Sequence, residues 1–250
     1  MPDTTPNPFS LIWRGVAAES LGVTAARLPP VTTAALRRRR IAVPGRSGDL
    51  PLWEEARWAC CRRSIPLLLG PDSDLGLVRR WLRGEGLLVL GNEPDRAIEA
   101  AVAGELRFEP VPGRRHFTAA VFDCQPLKAA WPLAEPVAAD LTAGSLTLAN
   151  PGDVAARPVF ILTGSGAVSV TAGGASVEVD LDAAGTSGCV IDTGEASVTS
   201  PDGSQSLAEA ARVLGGGFRG LWLPTGEQTV LTWGGAGLTG LAVRPEWRWL

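Results

Sequence analysis

Glycine and proline interrupt this 250-residue chain so often that little room is left for long helices. The chain has 30 Gly and 20 Pro, and they stand between short apolar runs. Short apolar runs separated by turn residues are typical of β-strands joined by tight turns. Apolar residues make up 45% of the chain and charged residues 20%, which is the composition of a globular protein with a sizeable core. The sequence therefore predicts a mainly β fold.

The second half of the chain shows the β pattern most clearly. Residues 145–149 alternate between apolar and polar side chains, and residues 159–163 form a continuous apolar run. Gly173 and Gly174 separate two further alternating runs, as a two-residue hairpin turn does. About nine short strands with such spacing predict a β-sandwich or jelly roll. Residues 207–214 are interpreted as a short helix or a loop, and residues 218–223 as a strand.

The first half combines strands with one predicted helix. Ser73 can cap this helix, and Leu75, Val78, Trp81 and Leu82 share one face at helical spacing. This pattern favours a β-sandwich-like domain with one helix packed on its sheet. The strand candidates around the helix are residues 58–69, 87–90, 97–102, 105–111 and 116–124, with the third and fourth predicted to form a hairpin around Gly104.

A change in composition predicts two domains, residues 1–135 and residues 136–250. Prolines 126, 132 and 136 remove backbone donors and interrupt strand pairing at the junction. Residues 1–125 hold 17 Lys and Arg against 14 Asp and Glu, whereas residues 126–250 hold 6 against 12. The net charges of +3 and -6 indicate two surfaces with different partners, and the small excess of basic residues does not indicate a nucleic-acid binder.

Residues for catalysis or for a cofactor are sparse, so we expect neither an enzyme nor a bound metal or cofactor. The single histidine, His116, lies on a predicted strand, and the four cysteines lack metal-ligand spacing. The segment 215–220 matches a dinucleotide-binding glycine pattern but precedes a strand-like run rather than a helix. The acidic residues Glu178, Asp180 and Asp182 share one face of a predicted strand, which is typical of a solvated surface.

Four consecutive arginines stand out as a candidate protein interface. Arginine binds carboxylates through a planar fork, so a strand rich in arginine suits contact with an acidic surface. No aromatic residue interleaves the run, as nucleic-acid recognition would favour. Together with two residues of the following turn, the candidate interface residues are Arg37, Arg38, Arg39, Arg40, Arg46 and Asp49.

Several segments, in order along the chain, resemble the distal tail protein family of long-tailed phages. The turn in residues 41–50 resembles the Pro-Gly-Arg-Asp-Gly turn of that family, with Ser47 where the family often has Asp. The Phe-Asp-Cys-Gln-Pro segment at 122–126 is similar to the end of the family's first domain. Residues 150–166, 223–233 and 245–250 resemble the opening and closing segments of its second domain.

This resemblance implies a structural role in a virion. Members of the family form a ring, commonly of six copies, at the distal end of the tail tube. The first domain builds the ring, and the second is a galectin-like β-sandwich. The implied partners are further copies of the chain, the major tail tube protein, the tail-associated hub protein and, as an additional option, a receptor-binding protein. The implied location is the tail tip of a virion assembled in the host cytoplasm, with no need for nucleic acid or membrane insertion.

Two other functions stay open at the level of sequence. A carbohydrate-binding β-sandwich could present Trp222 or Trp233 to a sugar, although the apolar neighbours of Trp222 favour a core position equally. A glycan hydrolase would need two carboxylates facing each other across a groove. The N-terminus begins with polar residues and proline, so we expect no signal peptide, and no apolar run is long enough for a membrane helix.

Overall fold

The computed structural model describes residues 9–45, 47–113 and 115–250, and for residues 38, 39 and 50–56 it describes the backbone alone. The chain divides into two compact units, unit 1 ending at Pro132 and unit 2 spanning Leu133–Trp249. The predicted junction at residues 135–136 is close to this division. The independence of the two domains in solution stays a prediction, which limited proteolysis between residues 126 and 145 would test.

The described residues of unit 1 form ten strands, one α-helix and one 3-10 helix, the last at Ala18–Leu21. The strands and helix of unit 1 are β1 Leu11–Trp13, β2 Val16–Ala17, β3 Val23–Ala25, β4 Leu36–Ala42, β5 Asp49–Trp58, β6 Cys61–Leu69, α1 Leu75–Trp81, β7 Glu85–Leu90, β8 Glu93–Ala103, β9 Glu109–Val111 and β10 Arg115–Ala130.

Unit 2 contains eleven strands and three 3-10 helices, at Leu141–Ala143, Ala208–Ala210 and Gly217–Leu221. The strands of unit 2 are β11 Val137–Ala138, β12 Ser145–Ala149, β13 Val159–Gly164, β14 Ala167–Ala172, β15 Ala175–Asp180, β16 Gly188–Asp192, β17 Ser197–Thr199, β18 Ala211–Leu214, β19 Gln228–Gly234, β20 Leu238–Arg244 and β21 Arg248–Trp249.

Unit 1 is built on an antiparallel sheet with the strand order β2-β1-β7-β8-β10-β6-β3, and β9 also pairs with β10. Alternate residues of these strands enter one core, because successive side chains of a strand point to opposite faces. Trp13 and Phe122 meet in this core edge to face, with ring centroids 5.1 Å apart. The strands β4 and β5 form a separate two-stranded sheet.

The predicted helix forms and packs with its predicted face on the sheet of unit 1. Val78, Trp81 and Leu82 are buried in the core. Trp81 Nε1 donates a hydrogen bond to the Trp13 carbonyl oxygen at 3.1 Å, and Trp13 Nε1 donates one to the Trp81 carbonyl oxygen at 3.0 Å. This reciprocal pair satisfies both indole donors inside the core, as buried polar groups require.

Three details of the first half differ from the sequence predictions. Asp74, not Ser73, caps the helix, because its carboxylate accepts hydrogen bonds from the amides of Gly76 and Leu77. The predicted strand 58–69 is divided between β5 and β6. The predicted hairpin around Gly104 does not form, because β9 pairs with β10 rather than with β8.

Unit 2 is a β-sandwich of two antiparallel five-stranded sheets. One has the order β11-β20-β13-β16-β17 and the other β12-β19-β14-β15-β18. Phe160 and Leu162 from the first sheet pack with Val168 and Val177 from the second in one apolar core. Gly173 and Gly174 both have positive φ, at 55° and 86°, so they form the tight turn that the sequence predicts between β14 and β15.

The segment after β17 corrects two local predictions. Residues 207–214 form a 3-10 turn followed by β18, and residues 217–221 form a 3-10 helix rather than the predicted strand. Glycine is required at position 215, because a Cβ there would lie 2.2 Å from the Gly174 carbonyl oxygen. The prediction of a mainly β protein with a β-sandwich is confirmed.

Candidate functional site: an arginine-rich hairpin and an acidic groove on unit 1

The candidate interface residues lie on the hairpin formed by β4 and β5. Its closed end pairs Arg40 with Pro51, Ile41 with Leu50 and Ala42 with Asp49, and its base pairs Leu36 with Trp58. The register shifts between Arg37 and Arg39, so the ladder is irregular in the middle of the arginine run. Asp49 opens β5 and is exposed, opposite Ala42.

Three arginine side chains of this hairpin are exposed to solvent. Arg37 and Arg40 are exposed, and Arg37 stands directly opposite the exposed Arg57 on β5. Like charges directly opposite each other destabilise a β-ladder. Within the described residues, neither Arg37 nor Arg40 forms an ion pair. The backbones of Arg38 and Arg39 belong to β4 while their side chains are not described, and Arg46 lies outside the described residues.

The hairpin also exposes apolar side chains near its turn. Ile41 is 42% exposed and Val43 is 38% exposed. An isolated two-stranded hairpin is only marginally stable in water and needs a further surface for support. A hairpin with exposed apolar and cationic residues on its own two-stranded sheet is therefore suited to docking on an acidic surface of another molecule.

An acidic groove lies on the outward face of the main sheet of unit 1. Its volume is about 540 Å³, and Gly86, Ala100 and Ala101 on β7 and β8 are among its lining residues. Strand pairing places Glu85 and Asp123 on opposite sides of Ala101, because both are Cα partners of that residue. The small alanine leaves a depression between two acidic side chains. Glu99 and Gln125 line the groove as well.

One cation already lies at the edge of this groove. Arg62 on β6 is the Cα partner of Asp123, and its Nε lies 2.6 Å from the Asp123 Oδ1. The hydrogen bond and charge of that carboxylate raise the pKa of Arg62. Both side chains are largely exposed, so the pair contributes little to stability. The Asp123 carboxylate is thus already paired with a guanidinium group of its own unit.

The sequence did not identify the groove. Alternation on each strand predicts that Glu85, Glu99 and Asp123 point away from the core, but not that their strands are neighbours. The order β7-β8-β10 brings together acidic residues from positions 85 to 123. The outward position of each acidic residue could be predicted from the sequence. Their grouping on one surface could not, because it depends on the strand order.

Three residues with potentially reactive side chains lie on strands: His116 and Cys124 on β10, and Cys189 on β16. His116 lies on β10, paired with Leu69 on one side and Pro110 on the other. Burial raises the pKa of Cys124 to about 12 and that of Cys189 to about 11, so both are neutral thiols at neutral pH.

The described residues contain neither a metal-ligand cluster nor a membrane-spanning helix. Across residues 9–45, 47–113 and 115–250, no three His, Cys, Asp or Glu side chains are grouped as a metal site. Glu178 and Asp180 are exposed on β15, as predicted for a solvated strand face, and Asp182 follows in the turn. None of the helices in the described ranges has both the length and the apolar character to cross a bilayer.

The two tryptophans proposed as sugar platforms are both half-buried. Trp233 on β19 packs against the core of the sandwich. Trp222 follows the last 3-10 helix and donates from Nε1 to the Thr193 carbonyl oxygen at 3.1 Å. Its ring lies beneath the guanidinium groups of Arg157 and Arg219, so at least part of the indole is covered.

Comparison with known proteins shows a similarity in fold. No protein-family model matches the chain, and no curated protein matches it in sequence. Among solved structures, the chain resembles SPP1 Dit (gp 19.1), described as a paradigm of the hub adsorption apparatus in phages that infect Gram-positive bacteria. The TM-score is 0.66 at 14% sequence identity, and the similarity covers 98% of this chain and 100% of that chain. The chain therefore resembles Dit in fold over 98% of its length.

Proposed function

We propose that this chain is a non-enzymatic structural component of a phage or prophage tail tip. It forms a ring that joins the tail tube to the host-adsorption apparatus. The observation that carries the proposal is the end-to-end similarity to Dit, a hub adsorption protein, which includes both units. The segment resemblances found in the sequence support the same family independently of the fold.

Unit 1 builds the ring in this proposal. A ring of identical copies needs a heterologous interface, in which one patch meets a different patch on the next copy. Unit 1 carries two such patches of opposite sign, the arginine-rich hairpin and the acidic groove. The hairpin of one copy docks on the groove face of the next, with Arg37 and Arg40 directed toward Glu85 and Asp123. Six copies are proposed, following the family.

The contact combines charge with apolar burial. Burial of the exposed Ile41 and Val43 contributes affinity, because apolar area removed from water is stabilising. The charged groups contribute mainly to partner choice and association rate. A closed ring also covers the hairpin, which is marginal as a free element.

The wider setting follows from the same proposal. Its partners are further copies of the chain, the major tail tube protein and the tail-associated hub protein, with a receptor-binding protein as an additional option. The location is the virion tail tip, with assembly in the host cytoplasm. No cofactor, nucleic acid or membrane insertion is involved.

The oligomeric state of the purified chain tests the ring directly. We expect mass measurement in solution to give a hexamer, or a monomer that closes into rings when tail partners are added. Replacing Arg37, Arg38, Arg39 and Arg40 together by Ser should abolish assembly at moderate salt. The matched control is Arg107→Ser, which removes an arginine of unit 1 that lies outside the hairpin and is 77% exposed.

The possible outcomes distinguish two hypotheses: that the chain forms a ring, and that the hairpin and the groove make the contact within it. A stable two-fold dimer with the hairpin free in solvent would contradict the ring. Unchanged assembly of the fourfold Ser variant would leave the ring intact but remove the charge argument. For the docking pair, Glu85→Arg with Asp123→Arg should block assembly, and combining these changes with Arg37→Glu and Arg40→Glu should restore it.

A further inference from the structure

Two arginines of unit 2 are stacked on the same tryptophan. The guanidinium carbon of Arg157 lies 4.7 Å from the ring centroid of Trp222, and that of Arg219 lies 5.7 Å from it. Both arginines are exposed while the indole is half-buried. Attraction to the ring holds each cation, but it brings two like charges close together.

Several hydrogen bonds hold the backbone around this cluster. Ala156 and Leu223 exchange two backbone hydrogen bonds, of 2.9 and 3.0 Å, which place Arg157 beside Trp222. The buried Asn150 donates from Nδ2 to the carbonyl oxygens of Leu223 and Val154. Trp222 Nε1 also donates a hydrogen bond to the Thr193 carbonyl oxygen. The indole is therefore held both by its own hydrogen bond and by the backbone bonds of the next residue, Leu223.

The charge of unit 2 makes the cluster unusual. Residues 133–249 contain five arginines and no lysine, against twelve Asp and Glu, so the unit carries a net charge of -7. Arg244 and Arg248 both pair with Glu246, and Arg212 is the cross-strand partner of Glu178. In the described part of the unit, Arg157 and Arg219 have no carboxylate within salt-bridge distance. Arg157 and Arg219 thus share one aromatic ring without a described carboxylate in salt-bridge distance.

We propose that Arg157 and Arg219, held on Trp222, form a binding site for an anionic glycan or polyol segment bearing phosphate or carboxylate groups. A guanidinium group stacked on a ring keeps the N–H donors of its edge free, and these match the paired oxygens of phosphate and carboxylate. Because both cations lie over one ring, a single anionic chain reaches both. The indole acts by positioning the arginines rather than as an open sugar platform.

The remaining surface of unit 2 limits the size of the ligand. A long polyanion such as duplex nucleic acid would be repelled by the net charge of -7, whereas a short segment contacts mainly the two arginines, with the Asp192 carboxylate close to the Arg157 side chain. The site belongs to unit 2 and does not depend on ring formation. Changes at Arg157 or Arg219 should therefore leave the oligomeric state unaltered.

The test uses the purified full chain and four probes: inorganic phosphate, a glycerol phosphate oligomer, a galacturonate oligomer and a neutral oligosaccharide of similar length. Calorimetry measures Kd, and NMR follows the indole N–H signal of Trp222, assigned with Trp222→Phe. We expect saturable binding of at least one charged oligomer, a shift of that signal, and weakening by about tenfold in Arg157→Gln and in Arg219→Gln. Arg212→Gln, an exposed arginine of the same unit, is the matched control and should change Kd by less than about twofold.

Each other outcome overturns the proposal. Equal binding of the neutral oligosaccharide would show a sugar site without a role for charge. Binding of inorganic phosphate alone would show an ion site rather than a polymer site. Equal weakening by Arg212→Gln would show non-specific attraction, and absence of saturable binding to every probe would remove the site. Melting curves of the variants show whether a loss of binding reflects a loss of folding.

Discussion

The two units differ in the hydrogen bonding of their buried polar side chains. In unit 2 the buried polar residues are Asn150, Thr193 and Ser200, and each forms hydrogen bonds within its own unit. In unit 1 the buried Arg63 has no partner in the described structure for Nε and Nη1, and the hydroxyl of Thr118 has none either. Buried polar atoms without a hydrogen bond make the free energy of folding less favourable, so these residues destabilise unit 1 and have no counterpart among the buried polar residues of unit 2.

The exposed surfaces differ in the same direction. Unit 1 presents a hairpin on a separate two-stranded sheet and a groove lined by acidic residues, whereas the strands of unit 2 are gathered into two sheets around an apolar core. From this comparison we expect unit 2 to be the more stable unit by itself, and unit 1 to gain stability if the proposed assembly forms. The predictions below test that contrast, beginning with the largest expected effect.

The largest effect is expected from removing one core phenylalanine in each unit. Phe160 and Phe122 are both fully buried. Replacing either by Ala should destabilise its own unit by about 3–5 kcal/mol, through lost burial and a residual cavity. Calorimetry should show two transitions, with Phe160→Ala lowering one and Phe122→Ala lowering the other. A single transition that shifts equally in both variants would break the comparison between independent units.

A smaller effect is expected at the buried ion pair of unit 1. Lys128 Nζ lies 2.7 Å from Glu93 Oε1, and the two side chains are 4% and 11% exposed. Lys128→Met should destabilise unit 1 by about 3 kcal/mol, because it leaves a buried carboxylate without its cation. Adding Glu93→Leu should recover most of that loss, since an apolar pair needs no compensation. Chemical denaturation of the single and double variants measures both, and no recovery in the double variant would contradict this account.

Arg63→Met should stabilise unit 1. The substitution removes two buried donors that lack partners and keeps a long, flexible side chain in place. We expect a gain of about 1–2 kcal/mol in the free energy of unfolding. The control is Arg62→Met, at an exposed position on the same strand, which should change stability by less than about 0.5 kcal/mol. Destabilisation by Arg63→Met would mean that Arg63 has a partner in solution.

The smallest effect is expected at a turn of unit 2. Asp202 accepts hydrogen bonds from Ser200 and Ser204, and these bonds lower the pKa of Asp202 from 3.8 to about 2. A lowered pKa means that the stabilisation is present above pH 3.8 and is lost as the pH falls toward 2. In Asp202→Asn, the melting temperature of unit 2 should change less with pH across that window. An identical pH profile in the variant would show that these bonds do not persist.

Local patterns predicted the individual elements well and their partners poorly. The face of α1 and the turn at Gly173 and Gly174 were predicted because each depends on residues that are close in sequence. The prediction of a hairpin at Gly104 was wrong, because β9 pairs with β10, a partner that no local pattern reveals. Asp74 was missed as the helix cap because Ser73 and Asp74 are both suitable cap residues.

The sequence by itself determined the mainly β class, the apolar faces of the strands, the compositional break near the junction and the arginine run. These properties follow from side-chain periodicity and composition, which act along the chain. Only the tertiary structure decided that Glu85 and Asp123 flank Ala101, and that Arg157 and Arg219 meet on Trp222. The physical reason is that strand order and loop bridges join distant segments, and their choice depends on the packing of the whole unit.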